Sequence, residues 1–110
     1  MPLADQSCIP CKGDVPPLKA DAITSLLTEL PGWSAPRDHH LFRAFRFPNF
    51  KTALGFVNLA GAVAEEQGHH PDLLLAWGKV EVTIYTHKID GLTESDFVLA
   101  AKIDRLYQGQ

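Results

Sequence analysis

The chain has 110 residues, 45% of them hydrophobic and 21% charged, with a formal net charge of −3. That length supports one domain with a single modest core, and the composition is ordinary for a globular fold. An acidic balance without a long Lys/Arg run argues against direct nucleic-acid binding, and the longest apolar run, Leu73 to Trp77, falls far short of a membrane span.

Residues 1–18 read as a flexible N-terminal arm, and residues 19–110 as a single domain. The arm carries Cys8 and Cys11 as a C-x-x-C pair among Pro10, Gly13, Pro16 and Pro17. Two thiols cannot close a structural zinc site, and no strand–helix context surrounds them. The arm also lacks the basic start and long apolar stretch of a secretory signal, so a cytoplasmic protein is expected.

The segment ADAITSLLTEL places Ile23, Leu26, Leu27 and Leu30 at helical spacing, and Pro31-Gly32 stops it. Trp33 opens a short extended piece, followed by the strand HLFRAFRF, whose mixed parity implies a bulge or two partly buried faces. The doublet His39-His40 falls in the connection between them and reads as plain surface.

Asn49 is a good N-cap for FKTALGFVNLAGAVAEEQG. Its wide apolar stripe suits a helix lying across a sheet, and Gly68 and Pro71 end it. DLLLAW and KVEVTIYTH read as two strands joined at Gly78-Lys79, with Val80, Val82 and Ile84 on one face. Thr93 and Asp96 form a capping box for TESDFVLAAKIDRLY, an amphipathic helix. The order α-β-β-α-β-β-α predicts an α+β fold with a four-stranded antiparallel sheet covered on one face by helices.

A second histidine doublet, His69-His70, sits where the long helix ends, with Pro71 behind it. Pro71 favours an extended His70, while His69 occupies the last helical turn, so the two imidazoles leave in different directions. Glu65 and Glu66 lie four residues earlier and can fix an imidazole tautomer. With Trp77 paired near Val80, counting outward along the hairpin brings His87 opposite His70. Three histidines then converge by topology. Three imidazoles can serve as acid and base, or hold zinc with an open position. An incidental polar edge is the third possibility, and capping alone would account for Asp96.

The array Glu65, His69-His70-Pro71, Trp77, His87 and Asp96 resembles the signature of the pterin-4a-carbinolamine dehydratases. PGW, NFKTALGFVN and GLTESDFVLAAKID are similar to the family elsewhere, so the resemblance spans residues 20 to 107. It implies dehydration of a 4a-hydroxytetrahydropterin to a quinonoid dihydropterin, in tetrahydropterin recycling, with no metal and no organic cofactor. His70 and His87 are implied as the acid–base pair, and His69 as an assisting or substrate-orienting group. Trp33, Glu65, Pro71, Trp77 and Thr86 are implied around the substrate, with Asp96 supporting. The family also implies a homodimer or homotetramer. Relatives in animals bind a transcription factor through a helical surface, so a non-catalytic, oligomerising partner-binding protein is the alternative from another class.

Overall fold

The computed structural model describes residues 2–9 and 15–109. Helix α1 (Ala20–Leu27) precedes strand β1 (Leu41–Arg46), helix α2 (Phe50–Gln67), strands β2 (Asp72–Ala76) and β3 (Lys79–Ile84), and helix α3 (Glu94–Gln108). Single 3-10 turns occupy Leu3–Asp5, Pro36–Asp38 and His87–Ile89.

Among the described residues the sheet has three antiparallel strands in the order β1-β3-β2, which corrects the expected four. The missing strand shrinks to one bridge, Ser34 to Phe42, with hydrogen bonds of 3.0 and 2.9 Å. Pro36 begins a 3-10 turn two residues later, and Arg37 and Asp38 both take positive φ. The extended piece is therefore turned away before a ladder can propagate. The mixed parity of β1 involves no bulge: its register with β3 runs unbroken from Leu41↔Ile84 to Arg46↔Lys79.

One face of the sheet holds the core. Leu41 and Phe45 of β1 and Val80, Val82 and Ile84 of β3 are all buried. The Phe45 ring lies 4.9 Å from that of Phe56 on α2 and 4.8 Å from that of Tyr107 on α3, so both helices pack on this face. From the broad apolar stripe of α2, the residues driven inward are Ala53, Phe56, Ala60 and Ala64. Three alanines let the helix approach the sheet closely, leaving Phe50, Leu54 and Leu59 exposed.

Both ends of α2 follow local chemistry. Asn49 accepts from the Thr52 N–H at 2.9 Å. At the other end Gly68 takes φ 66°, its N–H reaches the Glu65 carbonyl, and the His69 N–H reaches the Ala64 carbonyl at 3.2 Å. This is a Schellman closure, for which glycine has no Cβ penalty. It fixes where His69 leaves the helix.

The part of the expected arm described here lies against α3. Leu3 is buried, Lys102 Nζ donates to the Ala4 carbonyl at 2.9 Å, and Arg105 pairs with Asp5 at 2.8 Å. Ser95 Oγ accepts from the Ile9 N–H at 2.8 Å, and the Cys8 thiol reaches the Ser95 carbonyl at 3.5 Å. Burial pushes the Cys8 thiol above its ordinary pKa. Cys11, the other half of the C-x-x-C pair, lies outside the described residues.

Candidate active site

The loop joining β2 to β3 is Trp77-Gly78, since Ala76 pairs with Lys79. The register is thus two residues from the expected one, and continued outward it sets His70 opposite Tyr85 and His69 opposite Thr86. A shift of two preserves the face of every side chain, so the convergence survives. His87 lies beyond the strand, at the start of the 3-10 turn His87–Ile89. Gly68, His69, His70, Tyr85, Thr86, His87 and Lys88 line one open pocket of about 260 Å³.

The two imidazoles of the doublet are held differently. His69 Nε2 lies 2.5 Å from Asp96 Oδ1, and the His69 side chain is only 16% exposed. Asp96 itself is 0% exposed. Its Oδ2 accepts from Thr86 Oγ1 and from the Thr93 N–H, both at 2.8 Å. The cost of burying a carboxylate is offset only when such donors surround it. As an ionised carboxylate it can only accept, so His69 Nε2 carries a hydrogen and Nδ1 is left for the other tautomeric role. Asp96 therefore does more than cap α3: the same carboxylate closes the capping box and fixes an imidazole.

His70 extends into solvent, with a side chain 61% exposed, and its Nε2 bonds the Glu65 carboxylate. The expected pairing of Glu65 and Glu66 with residues four positions on gives way to a five-residue reach, because the Schellman turn folds the chain back. The partner carboxylates lie on α2 for His70 and α3 for His69, so each ring is aimed by a different helix.

Two sequence candidates lie elsewhere. Trp33 is buried beside Phe45, its Nε1 donating to Asp104 Oδ1 at 2.8 Å, and it does not line the pocket. Trp77 is 68% exposed in the hairpin loop, at the far end of β2 from His70, about 17 Å along five strand residues. Pro71 follows His70 without lining the pocket. Among the described residues no group of three or more His, Cys, Asp or Glu is placed to hold a metal ion.

Sequence reasoning missed three groups beside the pocket. Tyr85 forms part of the lining, and its ring stacks on His87 at 4.2 Å. His39, expected to be plain surface, stacks on Tyr85 at 4.7 Å and bonds Asp90 at 2.7 Å. Tyr85 was legible only as the next residue of an alternating strand. His39 and Asp90 are separated by 51 positions, and no local pattern links them.

A family model described as Pterin 4 alpha carbinolamine dehydratase matches residues 16–106. The chain belongs to this family. A protein of Rubrobacter xylanophilus, provisionally named pterin-4-alpha-carbinolamine dehydratase, is 61% identical over 104 residues, covering 94% of this chain and 97% of that one. One of Alkaliphilus metalliredigens with the same provisional name is 55% identical over 94% of each chain. Among solved structures, a transcriptional coactivator/pterin dehydratase from Brucella melitensis superposes with TM-score 0.77 at 34% identity, over 82% of this chain and 97% of that one. A pterin dehydratase-like protein described as a RuBisCO assembly factor in the alpha-carboxysome gives TM-score 0.54 at 26% identity, over 62% of this chain and 79% of that one. Among the described residues, no helix is long and apolar enough to cross a membrane.

Proposed function

We propose that the protein dehydrates a 4a-hydroxytetrahydropterin to the quinonoid dihydropterin by histidine general acid–base catalysis, as a step in tetrahydropterin recycling. The reading rests on one observation above others: His69, His70 and His87 share a single pocket, in a chain of the dehydratase family.

The elimination breaks the C4a–O bond and forms the C4a–N5 double bond. A base takes the N5 proton, and an acid protonates the departing hydroxyl, which leaves as water. We assign these roles to His70 and His87, one entering neutral and the other protonated, since imidazoles titrate where both forms are accessible. The exposure of His70 lets it exchange its proton with solvent between turnovers. Glu65 accepts from its Nε2 and sets its tautomer. His69, fixed by Asp96, orients the substrate, and Thr86 keeps Asp96 aligned. An acceptor carboxylate of this kind holds an imidazole in one tautomer. Neither a metal nor an organic cofactor enters the scheme.

The test is direct. Loss of a 4a-hydroxytetrahydropterin is followed by absorbance with and without the protein. Acceleration over the spontaneous reaction is expected, and a rate equal to the uncatalysed one contradicts the reading.

Phe50, Leu54 and Leu59 on α2 and Leu74 on β2 are exposed apolar groups, and β1 and β2 are edge strands. Such surfaces favour self-association. We assign a homodimer or homotetramer, which sedimentation at micromolar concentration tests. The same exposed apolar side chains favour a second reading, a non-catalytic partner-binding protein, in keeping with the assembly-factor relative. Absent turnover with the pocket intact selects it.

A further inference from the structure

His39 does not line the histidine pocket, yet it meets the segment bearing His87 twice. Its Nε2 lies 2.7 Å from Asp90 Oδ1, and its ring stacks on Tyr85, which stacks on His87. The segment in question is a closed turn. Thr86 and Gly91 bridge at its base, with bonds of 2.8 and 3.4 Å, and the Asp90 N–H returns to the His87 carbonyl at 3.2 Å. A single 3-10 turn has little cohesion of its own. Position must be imposed on it from outside.

The base of the turn is anchored by the backbone bridge and by the Leu18 N–H donating to the Leu92 carbonyl at 2.8 Å. Its far corner, Asp90, sits at φ 52° with its side chain 83% exposed, and His39 reaches it from the segment before β1. His39 is in turn oriented by His40, whose Nδ1 lies 3.0 Å from its own Nδ1. Because a carboxylate only accepts, His39 Nε2 carries a hydrogen. Burial, followed by the charges of His39 and Arg37, holds the His40 imidazole below its ordinary pKa.

We propose that His39 is a positioning residue for His87, clamping the 86–91 turn through Asp90 and backing the His87 ring through Tyr85. This inference rests on the dehydratase reading for its kinetic consequence, but its geometric content can be read without turnover. The first doublet then acts on the same histidine that the second doublet works with.

The experiment compares wild type, His39→Ala, Asp90→Ala, the double variant, and His39→Ala in a His87→Ala background. It measures kcat, KM, melting temperature and the imidazole NMR resonances of His87. The expected result is a kcat lowered in both single variants by up to about a hundredfold, the loss that a displacement of about 1 Å can cause, with KM and melting temperature little changed. The double variant should be no worse than either single one, and His39→Ala should have no effect once His87 is gone. His39→Gln, whose amide can still donate to Asp90, should recover part of the rate. The His87 resonances should shift in His39→Ala whether or not the wild-type protein turns over pterin, so failure of the dehydratase reading alone would leave this arm intact. Unshifted His87 resonances, or losses that multiply with His87→Ala, would overturn the proposal.

Discussion

His69 and Asp96 meet at 2.5 Å across 27 residues of sequence, joining the C-terminus of α2 to the first turn of α3. The carboxylate is shared: Thr93 and Thr86 donate to its other oxygen. One side chain thus starts a helix and aims an imidazole. Asp96→Ala should cost roughly 2–4 kcal/mol, combining a lost cap with buried donors left unsatisfied, as measured by urea denaturation. Asp96→Asn should cost less stability, because its carbonyl can still serve Thr93, but should lower turnover by presenting a donor to His69. Equal stability of Asp96→Ala and wild type would remove Asp96 from this double role.

Gly55 and Gly61 lie within α2, and a Cβ at either would meet nothing within 4 Å. Gly55→Ala and Gly61→Ala should each stabilise the protein by about 0.5–1 kcal/mol through helix propensity and lost chain entropy. Thermal melting checks this. Destabilisation at either position would mean that this helix face is packed against another copy, and sedimentation of the same variant would then show weakened assembly.

Asp104 offers a pH signature. Burial raises its pKa above the usual 3.8, outweighing the opposing effects of the Trp33 and Arg43 contacts. A carboxyl with a raised folded pKa stabilises the fold fully below its unfolded pKa, and that contribution is lost as pH rises through the folded value. Urea midpoints of wild type should therefore fall relative to Asp104→Asn as pH rises from about 3 towards neutrality, starting from the ordinary carboxylate range. A difference running the other way would show that the Arg43 pair dominates.

How much was legible depended on the range of the interaction. Asn49, Gly68 and the Thr93/Asp96 box marked helix ends because capping is chemistry between near neighbours. The β2–β3 hairpin was visible in alternation, and its two-residue error in register left the face of His70 unchanged. The missing strand was lost to Pro36 and to two consecutive positive φ values that no apolar pattern announces. Trp33 looked like a pocket wall, but its indole N–H found a buried carboxylate 71 positions away. The His39–Asp90 contact is of the same kind. Long-range polar pairs leave no periodic trace, so the Trp33–Asp104 and His39–Asp90 contacts could not be read from the sequence.

In the proposed reaction His70 and His87 exchange protons with the substrate. The most direct measurement is kcat for dehydration of a 4a-hydroxytetrahydropterin by wild type, His70→Ala and His87→Ala, with folding checked by circular dichroism. Each substitution should lower kcat on the order of a hundredfold or more, the usual worth of general acid–base assistance. Wild-type turnover in either folded variant would contradict the account and place the chemistry elsewhere.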